Sequence, residues 1–362
     1  MKKNVNQRKK IYRGLKGVDG TYTAFAYIRR GWQLISPKEY LRFSSRHVPE
    51  KGWWWRTVHY LDYLGSLLKH GAIVSDYFEY KFWCKDGQER GEFVTMWISR
   101  KIQRFFNSGG DTSIFSDKRK FNEIFKHFHG LKNFYFSSES TYSDFYDFCL
   151  ACNRRIIVKP YTGYSGIGIF VPDLSSDDKI RELYDRMVQE EELFCEERFL
   201  QRGALAEINP AALNTVRVFT LHDGKDVHIM STSVRFGNGK SCVDNIHGGG
   251  FVCMVDKLKG IIVGHGYDLV GHCYEYHPSS RLPMKGVQIP RWDEVVALVT
   301  KAAQLVPQIG HVAWDVAVSE DRICFIEANE QGNFDLPQTA GQRGVYKEYA
   351  EVIRKRSENL SQ

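Results

Sequence analysis

The run His311-Val-Ala-Trp-Asp-Val-Ala-Val318, followed after a short polar turn by Ile323-Cys-Phe-Ile-Glu-Ala-Asn329, decides the fold of this chain. Both runs have the composition of strands joined as a hairpin. Glu327 and Asn329 are two residues apart, so in an extended chain they face the same way, and Asp315 comes from the neighbouring strand. Carboxylate and amide oxygens without His or Cys suit Mg²⁺ or Mn²⁺ better than zinc. The hairpin is therefore a candidate cation site.

The register of this hairpin determines whether Asp315 and Glu327 lie on the same face. A four-residue loop that pairs Val318 with Ile323 would place Asp315 opposite Ile326 and turn Glu327 away. The two carboxylates share a face only if the hairpin has a five-residue loop or a β-bulge. We expect one of these two irregularities.

A second segment lies upstream and has the pattern strand, glycine loop, strand: Arg154-Arg-Ile-Ile-Val-Lys-Pro-Tyr-Thr-Gly-Tyr-Ser-Gly-Ile-Gly-Ile-Phe-Val171. Lys159 closes the first, apolar strand. Backbone NH groups of the loop could approach phosphate oxygens without interference from Cβ atoms, and the residues concerned are Gly163, Ser165, Gly166 and Gly168. A plain glycine-rich turn is the alternative, but the neighbouring residues favour a hairpin folded over a nucleotide.

Composition describes an ordinary globular protein. The chain has 362 residues and is 43% hydrophobic, which predicts about two domains. Eight scattered cysteines with no secretory signal ahead of them favour reduced thiols in the cytoplasm. No apolar run reaches the ~18 residues that a membrane-spanning helix requires.

The net charge of +7 has a largely local origin. The first 16 residues contain no acid and seven basic residues, namely Lys2, Lys3, Arg8, Lys9, Lys10, Arg13 and Lys16. Such an arm is more often a solvated extension, and the alternative is contact with anionic lipid headgroups or nucleic acid. We expect no nucleic-acid partner, because basic clusters alone do not make a binder.

Residues 1–110 differ from the rest of the chain. Trp53-Trp-Trp55 leads into apolar residues at helical spacing, and an aromatic run follows at Tyr77–Trp83. This pattern predicts a helical, aromatic-rich N-terminal domain. Aromatic residues at helical spacing are more often core than a platform for sugars or bases.

The pattern of the remaining residues, 111–362, predicts an α+β fold with mainly antiparallel strands. Helices are expected from Asp117 to about Phe128, from Asp177 to Glu191 and from Trp292 to Leu305, and strands over 193–200, 215–221, 227–236 and 251–255.

Several short sequences resemble other functional motifs but lack a part that the motif requires, or the motif is absent. Gly239-Lys-Ser241 imitates the end of a P-loop, but Val234 stands where that motif needs glycine. Cys149-x-x-Cys152 lacks a second pair or suitably spaced histidines, so buried thiols are favoured over zinc or redox use. No Gly-x-Ser-x-Gly or His-Arg-Asp sequence is present, which argues against ordinary hydrolases and protein kinases.

An ordered set of motifs resembles the ATP-grasp superfamily, and more narrowly its sugar-transfer-associated group from bacterial polysaccharide biosynthesis. The resemblance spans roughly residues 60 to 350 and rests on Lys159-Pro160, Glu196-Glu197, Asn214-Thr-Val-Arg217, Arg235-Phe-Gly237, Asp244-Asn245, Gly248-Gly-Gly250, His277-Pro278, Ile289-Pro-Arg-Trp292, Trp314-Asp-Val-Ala317 and Glu327-Ala-Asn329. It implies an α+β ATP-grasp fold, in which two lobes close on ATP, after the helical domain. The lobes would be residues 111–195 and 196–362.

The resemblance also implies roles for individual residues on the nucleotide side. Lys159 and Lys118 would contact phosphates as mobile point charges, under cover of the glycine loop. Glu196 or Glu197 would lie near the adenine or ribose, and the sequence does not say which. Asp315, Glu327 and Asn329 would hold Mg²⁺ or Mn²⁺ between the β- and γ-phosphates.

The resemblance implies that arginines contact the reacting groups during the chemical step. Arg217 and Arg235 are the candidates for transition-state contacts, with a structural ion pair as the alternative for each. Many amide-forming ATP-grasp enzymes carry an arginine two residues before the first metal-binding acid, where this chain has Ala313. Residues expected to line the substrate cleft are Asn214, Asp244, Asn245 and His247, although a lone histidine is more often structural.

The implied activity is that of a cytoplasmic, ATP-dependent carboxylate–amine ligase, which forms an amide through an acyl phosphate. Its substrates would be a sugar acid and an amine, in polysaccharide or capsule biosynthesis. The alternatives are a small-molecule kinase that phosphorylates a hydroxyl and a non-catalytic nucleotide-binding scaffold.

Overall fold

The architecture is that of a computed structural model. The structure describes residues 34–162, 168–190, 192–239, 246–332 and 334–359, with the side chains of His129, His247 and 335–337 left out. Within these ranges no helix is both long and apolar enough to cross a bilayer.

The N-terminal region is helical, as the sequence predicts. Its helices are α1 (Pro37–His47), α2 (Trp53–His70), α3 (Val74–Glu79), α4 (Gly87–Arg90) and α5 (Met96–Asn107), with a 3-10 turn at Phe82–Cys84. Most of its aromatic residues form one core, in which Tyr40, Tyr63 and Tyr77 are buried. This bears out core packing for those rings.

Three short helices, α6 (Ser113–Ser116), α7 (Lys118–Ile124) and α8 (Lys126–His129), lead into a small antiparallel sheet. Its strands are β1 (Asn133–Tyr135), β2 (Ile156–Pro160) and β3 (Leu193–Glu197), in the order β1-β3-β2. Helices α9 (Tyr142–Ala151) and α10 (Asp177–Met187) share a core with this sheet.

The predicted second strand of the glycine hairpin is shorter than expected. It is reduced to one bridge, in which Val158 and Phe170 exchange backbone hydrogen bonds of 2.9 and 3.1 Å. Pro172 follows two residues later and has no NH with which to continue the ladder.

The large sheet has seven antiparallel strands in the order β10-β9-β4-β5-β6-β7-β8. Their bounds are β4 (Thr215–His222), β5 (Val227–Phe236), β6 (Phe251–Val255), β7 (Ile262–Tyr267), β8 (Cys273–Tyr274), β9 (His311–Val318) and β10 (Ile323–Asn329). The remaining helices are α11 (Ala204–Ile208), α12 (Trp292–Leu305), α13 (Asp335–Gly341) and α14 (Tyr346–Asn359). The predicted strands over 227–236 and 251–255 and the helix over 292–305 are confirmed.

Alternation along β9 decides where the polar residues lie. Val312, Trp314 and Val316 pack into the core that includes α12, whereas Ala313 joins the core formed with α5 and α14 on the opposite face. Asp315 therefore lies on the α5 and α14 face of the sheet.

Acid should destabilise this fold through His311. Burial lowers the pKa of His311 to about 4, although its hydrogen bond to the Glu330 carbonyl opposes this. The unfolded chain takes up the proton near pH 6.5, so the free energy of unfolding falls as the pH drops from about 6.5 to about 4, by up to about 3 kcal/mol. His311 stacks on Phe334 with 5.0 Å between ring centroids, so replacement by phenylalanine keeps an aromatic ring in this stack.

Urea unfolding across this pH range should show a shallower decline for His311→Phe than for the unmodified chain. Replacement of the exposed His127 by phenylalanine is the control and should leave the pH dependence unchanged. An identical decline in all three proteins would contradict the assignment to His311.

Candidate functional site

The β9–β10 hairpin has the irregularity that the sequence requires. Val318 pairs with Ile323 and Val316 with Phe325, and the register then shifts so that Glu327 pairs with Asp315. Ile326 is the extra residue of this β-bulge. The expected bulge is confirmed, and it brings the two carboxylates opposite each other on one face.

Asp315 is completely buried and is held by two arginines from neighbouring strands. Arg217 on β4 donates from Nε and Nη2 to its two carboxylate oxygens, at 2.7 and 2.5 Å. Nη2 of Arg235 on β5 lies 3.1 Å from Oδ2. Burial alone would raise the pKa of Asp315, but the charges of Arg217 and Arg235 outweigh it and hold that pKa at about 2.

The arginines are themselves positioned by the sheet. Arg217 pairs in register with Asp315, and Thr215 accepts hydrogen bonds from Nε and Nη2 of Arg235, at 2.9 and 2.7 Å. Arg217 also lies 3.9 Å from Glu327. Removal from bulk water raises the pKa of Glu327, and the nearby Asp315 carboxylate raises it further. Both arginines are thus partners of Asp315 in this structure.

The oxygen atoms of the hairpin fit a hard divalent cation. Asn329 pairs with Ala313, beside the facing pair of Asp315 and Glu327, and its Nδ2 lies 3.5 Å from Glu327. Two carboxylates and an amide oxygen are typical of sites that Mg²⁺ completes with water and phosphate oxygens. Among the described residues no group of three or more His, Cys, Asp and Glu could hold a metal by itself. The donor set therefore suits a metal that arrives with phosphate.

The other wall of the cleft comes from the small sheet. Lys159 on β2 and Glu196 on β3 form a buried ion pair, because they are diagonal neighbours on adjacent strands. Burial lowers the pKa of Lys118, and the charge of Lys159 adds to this effect while Glu327 opposes it. Lys118, Glu196, Glu327 and Asn329 all line one cleft. Lys118 and Glu196 therefore line the same cleft as Glu327 and Asn329, and Lys159 is bound to Glu196.

The two adjacent acids of β3 have different surroundings. Glu196 lines the cleft, whereas Glu197 accepts a 2.8 Å hydrogen bond from Arg322 in the β9–β10 turn. The Lys132 backbone NH also donates to Glu197, at 3.3 Å. Glu196 is thus the acid that lines the cleft, and Glu197 connects the two sheets.

Asn214 was expected to line the cleft, and its position differs. It is fully buried, and its Nδ2 donates to Gln201 and to the carbonyls of Leu205 and Asn209, each at 3.0 Å. Its Oδ1 accepts from Asn209 at 2.8 Å. An amide with all these partners organises the loop before β4, so it is not a cleft residue here.

Other predicted site residues lie outside the described structure, and these are Gly163, Ser165, Gly166, Asp244 and Asn245. The side chain of His247 is not described either. Gly168 is described and has a φ of +78°, a backbone conformation that favours glycine.

Sequence reasoning missed part of the cleft lining. Phe115, Phe121 and Asn122 contribute to it, and Asn122 donates to the Tyr135 hydroxyl at 2.7 Å. Lys118 and Asn122 are four residues apart, which places them on one face of α7. That spacing could have identified Asn122 once Lys118 was a candidate.

Comparison with known proteins gives one family match. The model of the sugar-transfer associated ATP-grasp family matches residues 98–354. No curated protein matches the chain.

Solved structures with a similar fold include the ATP-grasp ligase PsnB complexed with a minimal precursor, Mg and ADP, at 12% identity over 75% of this chain and 69% of that one, with a TM-score of 0.43. The D-alanine-D-alanine ligase from Coxiella burnetii is 9% identical over 69% of this chain and 60% of its own, with a TM-score of 0.42. Carboxyaminoimidazole ribonucleotide synthase from Aspergillus clavatus, complexed with ATP, is 12% identical over 67% and 52%, with a TM-score of 0.41.

Breaking the buried ion pair on the small sheet should cost more stability than breaking the peripheral one. Lys159→Met leaves the Glu196 charge buried without its partner, so we expect the free energy of unfolding to fall by about 3 kcal/mol without nucleotide. Arg322→Met removes the partner of Glu197 at a more exposed place and should cost about 1 kcal/mol or less. Adding Glu196→Gln to Lys159→Met should recover most of the loss. Equal losses for the two single variants in urea unfolding would refute this ranking.

Proposed function

Because the chain belongs to the sugar-transfer associated ATP-grasp family, we propose that it is an ATP-dependent carboxylate–amine ligase. One observation carries the proposal. One cleft is lined by Lys118, Glu196, Glu327 and Asn329, and Lys159 is bound to Glu196 while Asp315 pairs with Glu327. Cationic groups that could bind phosphates and oxygen donors that could bind a metal therefore meet in one cleft, which supports binding of a triphosphate there.

ATP would bind through this cleft. Lys118 and Lys159 would contact phosphate oxygens, and Glu196, freed from Lys159, would accept hydrogen bonds from the nucleoside. Asp315, Glu327 and Asn329 would hold Mg²⁺, which neutralises charge on the β- and γ-phosphates when bound. Asp315 suits this role because it stays ionised at any pH above about 2.

The reaction would proceed in two transfers. A carboxylate oxygen of the acid attacks the γ-phosphorus, the bond to the β-phosphate oxygen breaks, and ADP leaves. The amine nitrogen then attacks the acyl carbon, inorganic phosphate leaves, and the nitrogen loses its proton. Arg217 or Arg235, both of which contact Asp315, would shift to the transferring phosphoryl group.

The substrates we propose are a sugar acid and an amine, in the cytoplasm, for bacterial polysaccharide or capsule biosynthesis. This choice rests on the family's association with sugar transfer.

A small-molecule kinase is the second candidate, and one observation favours it. Ala313 occupies the position where amide-forming relatives carry an arginine, and it is buried against Phe219, with the Gly332 backbone close by. An arginine side chain has no room there, so an oxyanion contact must come from elsewhere or be unnecessary. A kinase would stop after phosphoryl transfer to a hydroxyl.

The test is ADP release with Mg²⁺ and ATP across sugar acids and sugar alcohols, each with and without mixed amino acids, followed by mass spectrometry. A ligase needs both acid and amine and yields a condensed product. Asp315→Ala should lower kcat/KM by about 100-fold or more. Asp321→Ala, in the exposed turn of the same hairpin, is the matched control. Turnover with a hydroxyl acceptor alone and a stable phosphate ester would establish the kinase instead.

The metal dependence of ADP binding should identify the hairpin as the metal site without a measurement of catalysis. Glu327→Gln keeps the shape but removes one negative ligand, so the Mn²⁺ concentration needed for ADP to raise the Tm should increase by about tenfold or more. Stabilisation by ADP without metal should be unchanged, because the lysines remain. A variant with unaltered Mn²⁺ dependence would exclude Glu327 as a ligand.

A further inference from the structure

Helix α2 is apolar on two opposite faces. Its inner face, with Tyr63, Leu67 and His70, packs into the aromatic core of the N-terminal region. A helix with only one buried face normally has polar residues on the other. The outer face of α2 departs from this rule because its exposed residues are apolar. Such a face indicates a binding partner.

The outer face carries a continuous apolar stripe. The spacing of Trp54, Val58, Leu61 and Leu68, with Gly65 between the leucines, places them on one side of the helix. Trp54 is 66% exposed, Leu61 66% and Leu68 87%, and Trp53 beside the stripe is 74% exposed. The stripe is about 21 Å long at 1.5 Å per residue. We call these residues, with Trp53, the α2 stripe.

The α2 stripe lies within the described residues 34–73, which carry six Lys and Arg and three Asp and Glu, a net charge of +3. Lys69 is exposed at its C-terminal end, whereas Asp62, at its margin, is occupied by Arg90 and Tyr77. Residues 1–73 contain 15 Lys and Arg and 4 Asp and Glu, a net charge of +11, while the remaining 289 residues carry −4. The positive net charge of the sequence is therefore concentrated in its first 73 residues, and +8 of it belongs to residues 1–33, which precede the described structure.

We propose that the α2 stripe is a docking surface for an anionic lipid bilayer. Tryptophan favours the headgroup level, leucine and valine side chains enter the acyl boundary, and Lys and Arg interact with anionic headgroups. A second copy of the chain is a poorer occupant, because two N-terminal regions of positive net charge would then meet. The helix lies on the bilayer in this arrangement and does not span it. The proposal is independent of the ligase activity.

Vesicle co-sedimentation of the 362-residue chain tests the proposal, with vesicles of phosphatidylcholine alone and of phosphatidylcholine mixed with phosphatidylglycerol. The chain should bind the anionic vesicles, and added salt should weaken binding. Leu61→Gln with Leu68→Gln should reduce the apparent affinity by about tenfold or more. Leu258→Gln, at an equally exposed leucine (84%) outside α2, should bind like the unmodified chain.

Two results would overturn the proposal. The first is absent binding to anionic vesicles, or equal binding by the double variant. The second is a dimer in sedimentation velocity that the double variant abolishes without any vesicle binding, which would assign the α2 stripe to a second copy. Leu68→Gln alone keeps the test valid if the double variant fails to fold, since that side chain is 87% exposed.

Discussion

The buried carboxylate of Asp315, held between Arg217 and Arg235, is the interaction on which the site depends. Placing an unpaired carboxylate in this interior would cost several kcal/mol, and the two guanidinium groups offset that cost. The three residues come from β9, β4 and β5, so the contact forms only if all three strands are in register. A slip of one residue would turn each side chain to the opposite face.

Charged side chains on both walls of the cleft are paired with oppositely charged neighbours in this structure. Lys159 is paired with Glu196 on one wall, and Asp315 is paired with arginines on the other. Under the proposed function, a bound triphosphate and its metal would exchange these partners: phosphates would take the lysines, and the metal would take the hairpin oxygens. Ligand binding would then replace existing charge pairs with new contacts, and the buried Glu196 carboxylate would accept hydrogen bonds from the nucleoside in place of Lys159.

Much of the large sheet could be predicted because its signals are local. Apolar and β-branched residues indicate β5 and β6, and the shared face required of Asp315 and Glu327 predicts either a bulge or a five-residue loop, of which the structure has the bulge. Features that depend on contacts distant in sequence could not be predicted. Glu196 and Glu197 are adjacent in the chain, and only the partners supplied by β2 and by the β9–β10 turn distinguish them. Asn214 likewise looks like a site residue in its motif, while its amide is occupied by the preceding loop. The domain boundaries near 110 and 195 stay predictions.

The central claim is that the amide forms through an acyl phosphate. Transfer of an oxygen isotope from the acid to phosphate tests it most directly. With an acid substrate labelled with ¹⁸O in its carboxylate, the account predicts that inorganic phosphate released with ADP carries one ¹⁸O atom, and that the amide retains the other. Unlabelled phosphate, or a stable phosphate ester with no inorganic phosphate released, would contradict it.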